Sequence, residues 1–189
     1  ALRVQWQALS ESGWLAAVAR AYDLTAASAA YSEADHRIVR EMLASVVQVS
    51  LRSDEGISNR QVHHNEAIAA VGLILQDEFL LRHALGSLHY QIRHAILGDG
   101  MWWECSPGYH FYALSHLLQC AAMFERSGIG LLQDPKLLHS YKAMLQYRWP
   151  DGTFPATNDS GPRRLPLADV ERLHAVTRDP VLAHVLQKA

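Results

Sequence analysis

Residues 59–76 constrain the fold more than any other stretch of this chain. From Ala67 to Leu75 the side chains are apolar on almost every side of a helix, and such a helix is buried among other elements. Gly72 costs about 1 kcal/mol there relative to alanine, which predicts close contact with a neighbouring backbone. The N-terminal end is polar and carries Asn59, Arg60, Gln61, His63, His64, Asn65 and Glu66. The sequence therefore predicts an inner helix whose polar end opens onto a rim.

Helical spacing of apolar residues continues along most of the chain. The predicted helices after the first two are Asn59–Gln76, Glu78–Leu97, Gly108–Arg126, Asp134–Tyr147 and two shorter segments of Leu167–Ala189 that are split before Pro180. Only Met101–Glu104 and Thr153–Ala156 have extended patterns, and both are short. We therefore expect an all-α fold.

Three turn signals divide the helical pattern. Asp54-Glu55-Gly56, Asp99-Gly100 and Asp151-Gly152 lie about 50 residues apart, a period typical of one helix pair per repeat. Antiparallel helix pairs of this kind curve into a solenoid or close into a toroid. An ordinary helical bundle with unrelated turns is the alternative. We predict a single helical domain over residues 1–189 that is one piece of a longer protein, because the chain begins at Ala1 and ends within a helical pattern.

The composition excludes several classes of function. The chain has 17 basic and 19 acidic residues and a formal charge of -2, without the basic excess that nucleic-acid binding proteins show. No apolar run has the length of a membrane span. We therefore expect neither nucleic acid nor a membrane as a partner. An acidic ligand would have to be attracted by a local patch of charge.

Residues 101–112 are the second segment suited to chemistry. Ser106 followed by Pro107 predicts a helix N-cap with proline at the first helical position. Tyr109 then falls in the first turn, where the positive end of the helix dipole favours a phenolate. Trp102 and Trp103 offer flat surfaces on which sugars stack, or are buried beneath the rim loop.

β-Elimination from a uronic-acid polysaccharide uses these groups together. The reaction removes a weakly acidic proton from the carbon beside a carboxylate, so the enzyme must neutralise that carboxylate and place a base near the proton. An amide or imidazole donor, Asn65 or His64, suits the first role. Tyr109 suits the second, as the base, as the acid that protonates the leaving oxygen, or as both. In the alternative interpretation, these are helix-end polar and aromatic side chains without a catalytic role.

Three blocks in this order resemble the heparinase II/III-type polysaccharide lyases, which include alginate lyases. The blocks are Asn59–Ala67, Asp99–Tyr112, and Pro150-Asp151-Gly152 with Asn158-Asp159-Ser160, so the likeness covers roughly residues 50–165. The resemblance implies an incomplete (α/α) toroid built from antiparallel helix pairs, truncated here and followed in the parent protein by a C-terminal β-sandwich domain. It also implies that Asn65, or His64 beside it, neutralises the carboxylate and that Tyr109 is the catalytic tyrosine. The family takes a further catalytic histidine from the β-rich part, so we expect little turnover from this piece alone.

The remaining predicted site residues would bind the substrate around these groups. We expect no organic cofactor, and no metal, because the histidines and the two cysteines lack a ligand spacing such as HExxH. Arg163-Arg164 could contact an acidic sugar but is more typical of a solvated loop. The predicted substrate-binding residues are Trp102, Trp103, Glu104, His110, Tyr112 and Asn158.

The sequence thus predicts a polysaccharide lyase that cleaves an acidic, uronate-containing polysaccharide or oligosaccharide. The family's usual role in bacterial glycan breakdown implies a periplasmic or secreted location. Two alternatives remain at this point. One is a glycoside hydrolase on the same toroid, for which Glu66 with Glu104 or Asp159 would supply the two carboxylic acids. The other is a non-catalytic helical module that binds glycan or another protein.

Overall fold

The computed structural model describes residues 4–188, and these residues form an all-α protein, as predicted. Two single 3₁₀ turns, Leu131–Gln133 and Leu145–Tyr147, and one two-stranded sheet accompany the helices. None of the helices in this part of the chain is both long and apolar enough to cross a membrane. The helices are α1 (Ala8–Thr25), α2 (Glu33–Arg52), α3 (Asn59–Leu75), α4 (Glu78–Ala95), α5 (Pro107–Glu125), α6 (Pro135–Met144), α7 (Leu167–Thr177) and α8 (Pro180–Gln187), and the strands are β1 (Thr153–Phe154) and β2 (Arg163–Arg164).

The predicted helices agree with the observed ones to within a few residues at each end. The tail divides into α7 and α8 before Pro180, as predicted, and Ala189 lies outside the described residues. The extended pattern of Thr153–Ala156 yields β1, which pairs antiparallel with β2. Arg163 and Arg164 therefore form a strand, and the prediction of a loop there was wrong. In Met101–Glu104, only Trp102 pairs as a strand residue, in an isolated bridge with Ile96.

The chain divides into two compact units between His89 and Tyr90, within α4. The first unit contains α1, α2 and α3, and the second contains α5 to α8 with the small sheet. The predictions of one helical domain and of an incomplete toroid stay predictions.

In the first unit, α3 is the buried helix that its composition predicts. It packs against both α1 and α2, and its apolar residues from Ala67 to Val71 are almost completely buried. A side chain at Gly72 would approach the side chains of Leu80 and Leu81 to 3.1 Å. The close contact predicted for this glycine is thus with leucine side chains rather than with a backbone.

In the second unit, α5 packs through buried side chains along its whole length, which include Leu114 and Phe124. Asp169 of α7 accepts hydrogen bonds from the hydroxyls of Ser115 on α5 and, at 2.9 Å, Tyr141 on α6. Burial, reinforced by the neighbouring carboxylate of Asp169, raises the pKa of Tyr141 well above its usual value of 10.0. This polar contact joins α5, α6 and α7.

The three predicted turns share one construction. The side chains of Asp54, Asp99 and Asp151 each accept a hydrogen bond from the backbone N–H two residues further on, at 2.9 Å in every case. Each turn also contains a glycine at positive φ, between +58° and +89°, a conformation that residues with a Cβ rarely adopt. The turns are therefore confirmed, and each precedes a segment that leads to a helix or strand.

Candidate active site

The N-terminal end of α3 carries the first pair of predicted catalytic residues. Ser58 is the N-cap, and its side chain accepts a hydrogen bond from the backbone N–H of Gln61 at 3.0 Å. His64 and Asn65 follow one turn later, and both are 0% exposed. Direct contact between a substrate and either side chain would require this end of the helix to open.

A directional hydrogen-bond chain fixes the amide of Asn65. The backbone N–H of Glu55 donates to Oε1 of Gln61 at 2.8 Å, and a backbone N–H can only donate. The other half of the Gln61 amide, Nε2, is therefore the donor to Oδ1 of Asn65 at 3.0 Å. The orientation of the Asn65 amide follows, with its NH₂ group on the side away from Gln61. This is the orientation that a donor to a carboxylate needs.

His64 lies in a second buried hydrogen-bond chain. Its Nδ1 is 2.7 Å from the hydroxyl oxygen of Ser12, which is in turn 2.7 Å from the hydroxyl oxygen of Ser50. Its Nε2 is 3.9 Å from a carboxylate oxygen of Glu55. Burial lowers the pKa of His64 below its usual value of 6.5, and Arg60 lowers it further, while Glu55 opposes the shift. His64 is therefore neutral near pH 7 and suited to donating one hydrogen bond rather than to carrying charge.

Glu66, one acid of the hydrolase alternative, is almost completely buried. It forms an ion pair with Arg20 of α1. The carboxylate of Glu66 is thus buried and already paired within the first unit, which does not favour the hydrolase alternative.

The N-terminal end of α5 carries Tyr109. The predicted cap is confirmed, because the side chain of Ser106 accepts the backbone N–H of Tyr109 at 3.4 Å and Pro107 occupies the first helical position. Tyr109 is partly exposed, in contrast to Asn65. A partly exposed tyrosine in the first turn of a helix is suited to exchanging a proton with a bound substrate.

The segment after β1 fastens the loop that precedes α5. The side-chain amide of Asn158 donates to the backbone carbonyls of Glu104 and Cys105, at 3.2 and 2.9 Å. The hydroxyl of Ser160 accepts the backbone N–H of Gly108 at 2.9 Å. A side chain at Gly108 would lie 3.1 Å from that hydroxyl, so the small residue permits the approach. The hydrogen bonds of Asn158, predicted to bind substrate, thus hold the protein's own loop.

The other predicted substrate-binding residues divide into buried and exposed groups. Trp102 is 0% exposed, and its indole donates to the carboxylate of Glu104 at 2.6 Å. His110 is also buried, and its Nδ1 accepts the backbone N–H of Trp102 at 3.0 Å. Burial lowers the pKa of His110 to about 4, so this imidazole stays neutral as an acceptor. Trp103 and Tyr112 are 44% and 37% exposed and are the members with aromatic surface to offer a ligand.

The structure thus groups His64 with Asn65 in the first unit and the other predicted residues around Tyr109 in the second. Four polar residues that support these groups were not among the predicted site residues: Ser12, Ser50, Gln61 and Ser160. Only two of them had a sequence signal. Gln61 lies one turn before Asn65, and Ser160 follows Asn158 in the third block. Nothing in the sequence links Ser12 or Ser50 to His64.

The fold and these helix ends define an all-α protein with serine-capped helix termini that carry polar and aromatic side chains. Residues 74–172 match the family described as Heparinase II/III N-terminus, and the chain belongs to this family. The matched residues run from the last turn of α3 into α7, so they include Tyr109 and exclude His64 and Asn65. No curated protein and no solved structure matches the chain. Family membership relates the chain to polysaccharide lyases.

Proposed function

We propose that this chain is the helical part of a polysaccharide lyase that cleaves a uronate-containing acidic polysaccharide by β-elimination. The observation that carries the proposal is the position of Tyr109. It lies partly exposed in the first turn of α5 and within the residues that match the family; Tyr112 on the same helix and Trp103 in the preceding loop are exposed aromatic residues. We expect these features to supply a proton-transfer group from α5 and sugar-stacking surface from α5 and the loop before it.

In the proposed reaction, Tyr109 removes the proton on the carbon beside the carboxylate. The electron pair forms a carbon–carbon double bond, and the bond to the leaving glycosidic oxygen breaks. That oxygen takes up a proton, which Tyr109 can return. Asn65, assisted by His64, would donate hydrogen bonds to the carboxylate as negative charge develops there. The hydrogen bond from Gln61 orients the amide of Asn65 for this role.

The burial of Asn65 favours a second candidate function. Asn65 and His64 are both 0% exposed, so a purely structural role as buried hydrogen-bonding residues of the first unit explains them as well as a catalytic role does. The chain would then be a glycan-binding module that uses the exposed aromatic residues of the second unit without chemistry. This candidate predicts binding of oligosaccharides that are left intact.

The wider setting is part of the proposal. The substrate partner is an acidic polysaccharide or oligosaccharide, and a C-terminal β-sandwich domain of the same parent chain would supply the further catalytic histidine. We propose a periplasmic or secreted location, because large acidic glycans are degraded outside the cytoplasm. The resemblance and the family membership support these points.

Ultraviolet absorbance of the unsaturated uronate product tests the proposal. The parent-length protein would be incubated with a panel of uronate polysaccharides and with a neutral polysaccharide as control. We expect absorbance to rise with at least one acidic polymer and to stay flat with the neutral one. Tyr109→Phe and Asn65→Ala should each abolish the rise. A flat trace on every acidic polymer would favour the binding module, and a rise that survives Tyr109→Phe would show that another residue is the base.

A further inference from the structure

A small hairpin in the second unit has features that the proposed reaction does not use. The hairpin consists of residues 147–164, in which β1 pairs with β2 so that Thr153 lies opposite Arg164 and Phe154 opposite Arg163. Phe154 is buried and its ring lies 4.9 Å from that of Phe111 on α5, measured between ring centres. The hairpin is thus anchored to the helix that carries Tyr109.

The turn of the hairpin is held by a network of hydrogen bonds. The backbone N–H of Trp149 donates to the carbonyl of Thr153 at 2.8 Å, and that of Gly152 donates to the carbonyl of Trp149 at 2.9 Å. Both the backbone N–H and the hydroxyl of Thr153 donate to the carboxylate of Asp151, at 2.9 and 2.7 Å. The guanidinium of Arg164 donates to the carbonyl of Asp151 at 3.0 Å. Few degrees of freedom remain in this turn.

Exposed groups on this rigid turn are cationic and aromatic. Trp149 is 56% exposed and Tyr147 is 41% exposed. Arg148 and Arg163 are exposed side chains, and no ion pair is found for either within residues 4–188. The acidic residues of the hairpin are Asp151, whose carboxylate accepts two hydrogen bonds from Thr153, and Asp159. The hairpin therefore carries three arginines and two aspartates, a local positive excess in a chain whose overall charge is -2.

An exposed tryptophan and unpaired guanidinium groups on one hairpin suit an anionic sugar. The indole stacks on the apolar face of a sugar ring, and a guanidinium forms paired hydrogen bonds with a carboxylate or sulfate. Only the local charge of the hairpin attracts such a ligand, because the charge of the whole chain does not.

We infer that residues 147–164 form a binding subsite for the anionic sugar residues of the substrate, with Trp149 as the stacking platform and Arg148 and Arg163 as the carboxylate contacts. Two contacts join the hairpin to the first turns of the helix that carries Tyr109: Ser160 accepts the backbone N–H of Gly108, and Phe154 packs on Phe111. As a subsite of the lyase, the inference rests on the proposed function. Binding itself can be measured without turnover.

The test is equilibrium binding of a defined uronate oligosaccharide to the parent-length Tyr109→Phe protein. A neutral oligosaccharide of equal length serves as the reference ligand. The variants are Trp149→Ala and the pair Arg148→Gln with Arg163→Gln. The control is Arg126→Gln, which removes one positive charge at the other end of α5, about 30 Å from Ser106 by helical rise. Arg164 is left unchanged because it holds the turn.

We expect each hairpin variant to raise Kd for the acidic ligand about tenfold or more, and the control to leave it within about twofold. The arginine pair should also reduce the salt dependence of binding. An unchanged Kd in both hairpin variants, or equal affinity for the neutral ligand, would overturn the subsite. Unsaturated product from the wild-type protein with an unchanged Kd would leave the lyase standing and remove the subsite. If the hairpin variants bind the acidic ligand more weakly but the wild-type protein forms no unsaturated product, the subsite stands and the proposed lyase activity is contradicted.

Discussion

The N-terminal ends of α3 and α5 are built alike but present their polar residues differently. Each follows a turn that contains an aspartate and a glycine at positive φ, and each is capped by a serine side chain. At α3, the side chains of His64 and Asn65 are turned into hydrogen-bond chains and are closed to solvent. At α5, Tyr109 is partly exposed, while the buried residues behind it hold its loop. The same local construction therefore produces a fixed internal network in one unit and an accessible helix end in the other.

The difference indicates that buried polar residues at the end of α3 contribute to stability, whereas the accessible residue at the end of α5 is available to a ligand. A buried amide or imidazole keeps one orientation because every alternative leaves a polar atom without a hydrogen bond. A partly exposed phenol is held less firmly by internal hydrogen bonds, but it can contact a ligand. Substitutions of the buried supporting residues should therefore affect stability first, whereas substitution of the partly exposed Tyr109 should affect activity.

Tyr109→Phe should have a large effect on activity and almost none on stability. Loss of the hydroxyl should reduce kcat by about 10²- to 10⁴-fold, the usual contribution of a general acid or base. The free energy of unfolding should change by less than about 0.5 kcal/mol, because the hydroxyl is at a partly exposed position. Initial rates and urea denaturation measure the two effects on one preparation. Tyr112→Phe on the same helix is the matched control, and an equal loss of kcat there would argue against a special role for Tyr109.

Acid should destabilise the fold through the buried histidine behind α5. The pKa of His110 is lowered from 6.5 to about 4, so the unfolded chain binds the proton first as the pH falls. This residue's contribution to stability is complete above about pH 6.5 and is lost as the pH falls towards 4, by about 3 kcal/mol in total. Urea denaturation of wild type and His110→Gln across this range measures the effect. Parallel pH profiles for the two proteins would contradict the assignment.

Ser12→Ala tests the closed network at α3. The change removes the hydroxyl between His64 and Ser50 and leaves buried polar atoms without a partner. It should lower the free energy of unfolding by about 1–3 kcal/mol. Ser127→Ala, at an exposed position after α5, is the control and should have no measurable effect. A stability loss no larger than that of the control would mean that the network contributes nothing.

Asn158→Gly tests the loop before α5 and has the smallest expected effect. Glycine accepts the observed φ of +50°, so the change removes only the two hydrogen bonds to the carbonyls of Glu104 and Cys105. The free energy of unfolding should fall by about 1 kcal/mol, and KM should rise because Trp103 is less well positioned. An unchanged stability with a raised KM would show instead that Asn158 contacts the substrate, as its sequence position first suggested.

The parts of the fold predicted from the sequence rest on local signals. The all-round apolar character of residues 67–75 predicts a buried helix because only burial suits such a surface. The pair Ser106-Pro107 predicts a helix start because both residue types satisfy the first turn. The aspartate–glycine turns were predicted for the same reason, since the side-chain and backbone contacts that form them lie within three residues.

The parts that were not predicted depend on residues distant in the chain. Strand β2 forms only because β1 lies beside it, and Arg163-Arg164 alone has no strand pattern. Ser12 and Ser50 bond across 38 residues, and Ser12 and His64 across 52. Trp102 and Trp103 are neighbours in sequence, yet one is buried and the other is 44% exposed. Composition and spacing do not contain this information, because it arises from the packing of whole helices.

The mass of the products from one defined uronate oligosaccharide tests the proposed chemistry most directly. β-Elimination adds no water, so we predict that the masses of the two fragments sum to the mass of the substrate and that one fragment carries the new double bond. Fragments whose summed mass exceeds that of the substrate by one water would identify a hydrolase and contradict the lyase. An oligosaccharide that is bound and recovered intact would contradict catalysis altogether.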